Sequence, residues 1–295
     1  IIASEFSNFK IPTPMGGQGI DMLVPTLLEL GTEQQKEKYI KPTLYGEMIW
    51  CQGYSEPNAG SDLASLQTKA ELIDGEWVIN GQKIWTSTAQ YAHMMFCLVR
   101  TEPDASKHAG ISYLLIPMDT PGIEIRPLVD MTLKAGFNEV FFTDVKIPET
   151  NIVGNRGEGW AVANATLGHE RGSLAPPDAI MSRLNMLLEL MQQETLDGKP
   201  LSDDSIYRDR LMKIQAKVMA FQSHALRILS AKLNPGQDVK IGKMIQKYVG
   251  TEFVNPMILA YLGFCGGEAV KPLLSMVTGG ASDKLDKKKL FHMKL

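Results

Sequence analysis

The chain has 295 residues, of which 44% are hydrophobic and 21% charged, with a formal net charge of −3. Such a balance suits a soluble globular protein with enough core for two ordinary domains, and it excludes fibrous and disordered classes. It declares no surface for nucleic acid, although a local basic pocket for a phosphate-bearing ligand stays open.

Residues 21–45 read as helical, with an apolar stripe at Met22, Leu23, Leu27, Leu28 and Leu30 that Pro42 and Gly46 punctuate. From residue 48 to about 148 the texture is that of strands. Trp77-Val78-Ile79 lies between Asp74-Gly75 and Asn80-Gly81, two tight-turn dipeptides. Further short apolar runs at 94–99, 111–116, 123–125 and 140–145 are separated by Gly110, Pro121-Gly122 and Pro148. This spacing predicts an antiparallel sandwich or barrel with no helices interposed. Helical periodicity returns from Gly159: Leu184, Leu187, Leu188 and Met191 share one face, and Leu211, Ile214, Val218, Phe221 and Leu226 another. Asp197–Pro200 reads as a loop, Asn234-Pro235-Gly236 as a break, and 239–262 as a third helix.

The expected fold class is therefore α+β. A helical segment (1–47) precedes a central antiparallel β domain (48–150) and a C-terminal helical domain (151–295). No apolar run reaches the roughly 20 residues that cross a bilayer, and the first residues lack the order of a signal peptide. Cys51, Cys97 and Cys265 show no CxxC spacing, and the five histidines are scattered. No metal is expected, and a reducing compartment fits: bacterial cytoplasm, or mitochondrial matrix in a eukaryote.

Two segments carry chemistry. Residues 50–62, WCQGYSEPNAGSD, read as a strand entering a loop of small residues and hydroxyls. Such a loop suits a flavin edge or a phosphate, but taken bare it reads as an ordinary Asx-type turn. In NGQKIWTS, residues 80–87, Trp85 beside Thr86 and Ser87 could stack a flavin and donate to it, or be a core aromatic.

These segments, FFTDVKIP at 141–148 and LGHERG at 167–172 follow one another in the order found in the acyl-CoA dehydrogenases, and residues 20–260 resemble that family. The resemblance implies a helical domain, a β domain and a C-terminal four-helix bundle, with much of the first domain missing here. It further implies FAD bound by Gln52, Tyr54, Ser55, Gly60, Ser61, Trp85, Thr86 and Ser87, with Tyr54 and Ser55 at the pyrimidine edge and Ser87 near N5. The implied reaction desaturates an acyl-CoA between its α and β carbons, as in fatty-acid β-oxidation, and passes electrons to an electron-transfer flavoprotein. Ser61, Arg171 and Gly279 would touch the acyl-CoA.

The family places its base either in an acid-Gly-Thr loop near the C-terminus or on the first helix of the last domain, before an arginine. Here Gly279 stands in place of the loop acid and Glu170-Arg171 at the helical location, so the expected base is Glu170. Taken bare, a helix-face glutamate beside an arginine is a solvated ion pair. Small residues around it (Gly168, Gly172, Ser173, Ala175) leave room for a bulky acyl group. Many homotetrameric members carry an arginine that clamps the FAD diphosphate across a dimer, where this chain has Glu194, and an acid there repels a diphosphate. The expectation is a homo- or heterotetramer, with Arg208 or Arg210 as the alternative cation in the former. An oxidase of the same fold, or a partner subunit without a complete site, are the other readings.

Overall fold

The computed structural model describes residues 17–131, 133–173, 177–232, 234 and 239–252. They fall into two compact units, one ending at Glu170 and the other beginning at Arg171.

In the first unit, the expected single helix over 21–45 is three pieces. A π-helical turn, Gln18–Leu23, leads into α1 (Val24–Leu30), and α2 (Glu33–Leu44) follows Gly31. The break has a local cause. Thr32 Oγ1 accepts from the Gln35 N–H at 3.2 Å while Gln35 Oε1 accepts from the Thr32 N–H at 3.1 Å, a capping box that starts a new helix. Pro42 lies inside α2 rather than ending it. The helix stops in a Schellman motif, with Gly46 at φ 75°, its N–H donating to Thr43 O (3.1 Å) and the Glu47 N–H donating to Pro42 O (2.9 Å). Met22, Leu23 and Leu27 are buried, whereas Leu28 and Leu30 are exposed.

Eight strands make one sheet: β1 (Trp50–Gly53), β2 (Lys69–Ile73), β3 (Glu76–Ser87), β4 (Met94–Arg100), β5 (Ile111–Pro117), β6 (Ile123–Leu128), β7 (Phe137–Pro148) and β8 (Ile152–Val153). Their order is β6-β7-β3-β2-β4-β5-β8, with β1 on β4. The sheet is mixed, not purely antiparallel: β1 runs parallel to β4, and Lys69 of β2 meets Arg100 in parallel. The intervening β2–β3 hairpin is a connection long enough to return the chain in the same direction. Asp74 (φ 51°) and Gly75 (φ 81°) close that hairpin as expected. Asn80-Gly81, by contrast, is no turn: it continues β3 opposite a bulge in β7, where Thr143 and Asp144 (φ 49°) face the single residue Asn80. The Asn80 amide bonds Asp144 on β7 at 3.0 and 2.9 Å, and Gly81, at φ 150°, sits so near Thr68 that a Cβ would lie 2.6 Å from its Cα. Glycine is needed there.

β4 and β5 are buried on both faces. On one face Phe96, Leu98, Tyr113 and Leu115 pack with Leu23, Leu27, Tyr39, Trp50, Tyr54, Val162 and Ala163, the last two on α3 (Gly159–Ser173). On the other, Met95, Cys97, Val99, Leu114 and Ile116 pack with Trp77, Ile79, Val140 and Phe142.

The second unit holds α4 (Pro177–Gln193), α5 (Ser205–Lys232) and α6 (Lys240–Glu252) around Leu184, Leu187, Met191, Leu211, Ile214, Val218 and Phe221. Leu226 faces outward and Ile228 inward, because 228 continues the three-and-four spacing through 218 and 221. The expected loop at 197–200 is the tip and second strand of a hairpin, β9 (Thr195–Leu196) with β10 (Lys199–Pro200). Asp197 (φ 51°) and Gly198 (φ 77°) take the left-handed conformations of its two-residue turn. The part of the third helix beyond Glu252 lies outside the described residues. The fold class is α+β. Among the described residues no helix is long and apolar enough to cross a membrane, and no three His, Cys, Asp or Glu could hold a metal ion.

Candidate functional site

β1 delivers the loop 54–62. Its tip is a turn closed by two backbone bonds, Glu56 N–H to Ala59 O (2.9 Å) and Ala59 N–H to Glu56 O (3.0 Å). Gln52 and Ser55 are half-buried, and Gly60 and Ser61 exposed. The Tyr54 side chain packs edge-on against Phe96 and Tyr113, with ring centroids 5.9 and 6.4 Å away, and burial pushes its phenol pKa well up. At that position the phenol is turned into the core and not toward the surface.

Ser55 O accepts the Ile84 N–H at 2.9 Å, which fastens the loop to β3. Beside this bond is an ion pair that sequence reading missed. Lys83, fully buried, places Nζ 2.7 Å from Glu56 Oε1 and 3.2 Å from Tyr54 O. Glu56 also accepts the backbone N–H groups of Gln67 (2.5 Å) and Thr68 (2.9 Å). Burial alone would raise the Glu56 carboxyl pKa, but the Lys83 ammonium and these donors outweigh it and hold it below the ordinary glutamate value. The only sequence signal was a lysine inside an otherwise alternating strand.

Just beyond Lys83 the ladder slips. Lys83 pairs with Val140 and Thr86 with Asn138, so β3 has one residue more than β7 between these pairs. Trp85 absorbs the excess at φ 59°, a left-handed conformation that costs a bulky residue about 1–3 kcal/mol. The bulge turns the indole outward: Trp85 is 61% exposed, edge-on to Phe137 at 6.0 Å. Thr86 is buried, and its carbonyl accepts from Asn138 Nδ2 at 2.9 Å, yet Thr86 Oγ1 and Asn138 Oδ1 have no hydrogen-bond partner. Ser87, half-buried, pairs with Phe137. The structure thus brings 52–61 and 83–87 together.

Glu170 lies in the last turn of α3, half-buried. One turn earlier Thr166 is fully buried, in a hydroxyl chain with Thr26 (3.0 Å) and Tyr113 (3.3 Å) that ties this helix to the core. Beside Gly168 there is open space: an added Cβ would meet nothing within 4 Å. Arg171 opens the second unit, where Glu194 is half-buried before the β9–β10 hairpin and Arg208 and Arg210 are exposed. Gly279 lies outside the described residues.

The fold and these segments define a member of one enzyme family. Residues 51–145 match the acyl-CoA dehydrogenase middle domain and 157–278 the acyl-CoA dehydrogenase C-terminal domain, and the chain belongs to that family. It is 43% identical over 238 residues to acyl-CoA dehydrogenase IpdE1 of Mycobacterium tuberculosis, a match covering 79% of this chain and 60% of that protein. The chain therefore spans about three fifths of that relative's length. Among solved structures it resembles the ChsE4-ChsE5 complex from Mycobacterium tuberculosis, with TM-score 0.80 and 28% identity over 99% of this chain and 73% of that one. The Tcur3481-Tcur3483 steroid ACAD gives TM-score 0.81 and 26% identity over 99% and 72%.

Proposed function

We propose that the chain belongs to an FAD-dependent acyl-CoA dehydrogenase that desaturates an acyl-CoA thioester and hands the electrons to an electron-transfer flavoprotein. The observation that carries the reading is the bulge that turns Trp85 outward next to the loop 52–61, in a chain of this family.

The residues present fit a flavin. Trp85 offers a flat apolar face, Thr86 Oγ1 is a buried polar atom lacking a partner, and the loop supplies backbone N–H groups with the Ser55 and Ser61 hydroxyls. Gln52, the Tyr54 backbone, Ser55, Gly60, Ser61, Trp85, Thr86 and Ser87 would hold it. When bound, FAD supplies the two-electron acceptor for the hydrogen leaving the β carbon. Glu170 takes the α proton, Ser61 and Arg171 contact the acyl-CoA, and the Gly279 N–H polarises the thioester carbonyl, which lowers the cost of the developing enolate charge. The open space at Gly168 and the steroid enzyme among the related structures support a bulky acyl group.

The test is to purify the full-length subunit with any native partner, denature it and measure released flavin, then titrate it anaerobically with linear, branched and steroid acyl-CoA thioesters. Protein without flavin, or flavin that no thioester bleaches, sinks the proposal. Oxygen uptake in place of dye or electron-transfer flavoprotein reduction would make the protein an oxidase.

A second reading concerns assembly: a related chain supplies the diphosphate cation and the working unit is an α₂β₂ tetramer. It is supported by Glu194 at the clamp position and by the two-chain assembly named for the related complex. A stable homotetramer holding one FAD per chain would exclude it and leave Arg208 or Arg210 as the cation.

A further inference from the structure

Resting on the flavin reading above, we infer that Glu56 and Lys83 are positioning residues: their buried pair sets the spacing between the loop 54–61 and the Trp85–Ser87 bulge, and so the slot that receives the flavin ring.

Three pieces of chain meet at this pair. Lys83 belongs to β3, Tyr54 O and Glu56 to the loop, and the Gln67 and Thr68 N–H groups to the entry of β2. Glu56 Oε1 takes the ammonium and the Thr68 N–H, and Oε2 takes the Gln67 N–H, so both oxygens are used and neither charge faces water. Polar groups held this way have one geometry of lowest energy. Lys83 is also the last paired residue before the slip, so the point where the loop is anchored is the point where the bulge begins. The adjoining Ile84 N–H to Ser55 O bond repeats the tie through the backbone. Lys83 is fully buried and Glu56 nearly so, and their effect on a ligand passes through the segments they hold.

An apolar pair of similar volume separates positioning from stability, because exchanging a buried ion pair for well-packed apolar residues is often neutral or stabilising. The experiment compares wild-type full-length protein with Lys83→Met, Glu56→Gln and the double variant Glu56→Leu/Lys83→Met. Thermal melting is followed by circular dichroism, FAD uptake by the apoprotein by fluorescence titration, and the bound flavin by its visible spectrum. The double variant is expected to stay folded, melting somewhat below wild type because the Gln67 and Thr68 N–H groups lose their acceptor. It should bind FAD at least about tenfold more weakly with a shifted visible band, since misplacing a positioned group by about 1 Å costs up to about 10²-fold. Glu56→Gln, which keeps an acceptor but loses the charge, falls between. Wild-type affinity and spectrum in either of these two variants would overturn the inference, and both bear on it even if Lys83→Met alone does not fold. A wild-type chain that takes up no FAD would overturn the flavin reading and this inference with it; uptake unchanged by the substitutions overturns the inference alone.

Discussion

Glu56 and Asp62 stand in one loop, and each meets a lysine at almost the same distance: 2.7 Å to Lys83 and 2.6 Å to Lys107. Their surroundings differ. The first pair has side-chain exposures of 0% and 6%, the second 48% and 63%. In water the attraction is screened and offset by side-chain entropy, so an exposed pair contributes little. In the interior, losing one partner strands a charge that has no water to turn to. One end of the loop is thereby pinned and the other left adaptable. Distance alone does not rank ion pairs.

Glu170, proposed above as the base, is the third carboxylate to set beside these two, and it is half-buried. Glu170→Gln is expected to lower turnover by about 10²–10⁴-fold, while FAD uptake and melting temperature stay near wild type. Single-turnover flavin reduction checks this, and a variant that turns over normally places the base elsewhere.

Removing one partner of the inner pair gives the next largest effect. Lys83→Met should cost about 3–5 kcal/mol by leaving Glu56 buried and unpaired, read as a lower denaturant midpoint. The same pair shapes the acid limb of stability. Because the folded Glu56 pKa is depressed, its contribution is fully present above the ordinary glutamate value of about 4.3 and is lost as pH falls through the lower folded value. Melting of the double apolar variant should therefore fall less steeply than wild type below that value, and parallel acid limbs would show that Glu56 is not responsible.

Trp85→Gly sharpens the contrast between strain and grip. Glycine relieves about 1–3 kcal/mol of left-handed backbone strain but forfeits about 0.5–1.5 kcal/mol of edge-on contact with Phe137. The melting temperature should change little or rise while FAD affinity drops. A large destabilisation would mean that the indole is structural. At the outer pair, Lys107→Ala should leave the melting temperature unchanged within experimental scatter, and a clear drop would break the comparison drawn above.

Much of the architecture follows from local preferences that a single sequence displays. Apolar runs at 94–99 and 111–116 had to become buried strands, the Asp74-Gly75 dipeptide had to turn, and the periodicity of 184–191 and 211–221 had to make helices with one apolar face. The motif segments 52–61 and 85–87 were legible as candidates because their residue types are adjacent in the chain. Tertiary structure decided what adjacency does not carry. Asn80-Gly81 has the same turn chemistry as Asp74-Gly75, yet Asp144 and Thr68, both distant in sequence, hold it in strand opposite a bulge of β7. Which way Trp85 faces depends on one extra residue opposite β7, and whether Tyr54 offers its phenol depends on Phe96 and Tyr113 behind it. Glu56 and Lys83 each look like ordinary surface charges in the sequence. They become a pair because the sheet brings residues 27 positions apart into one dry space, where a charge must find its counterpart.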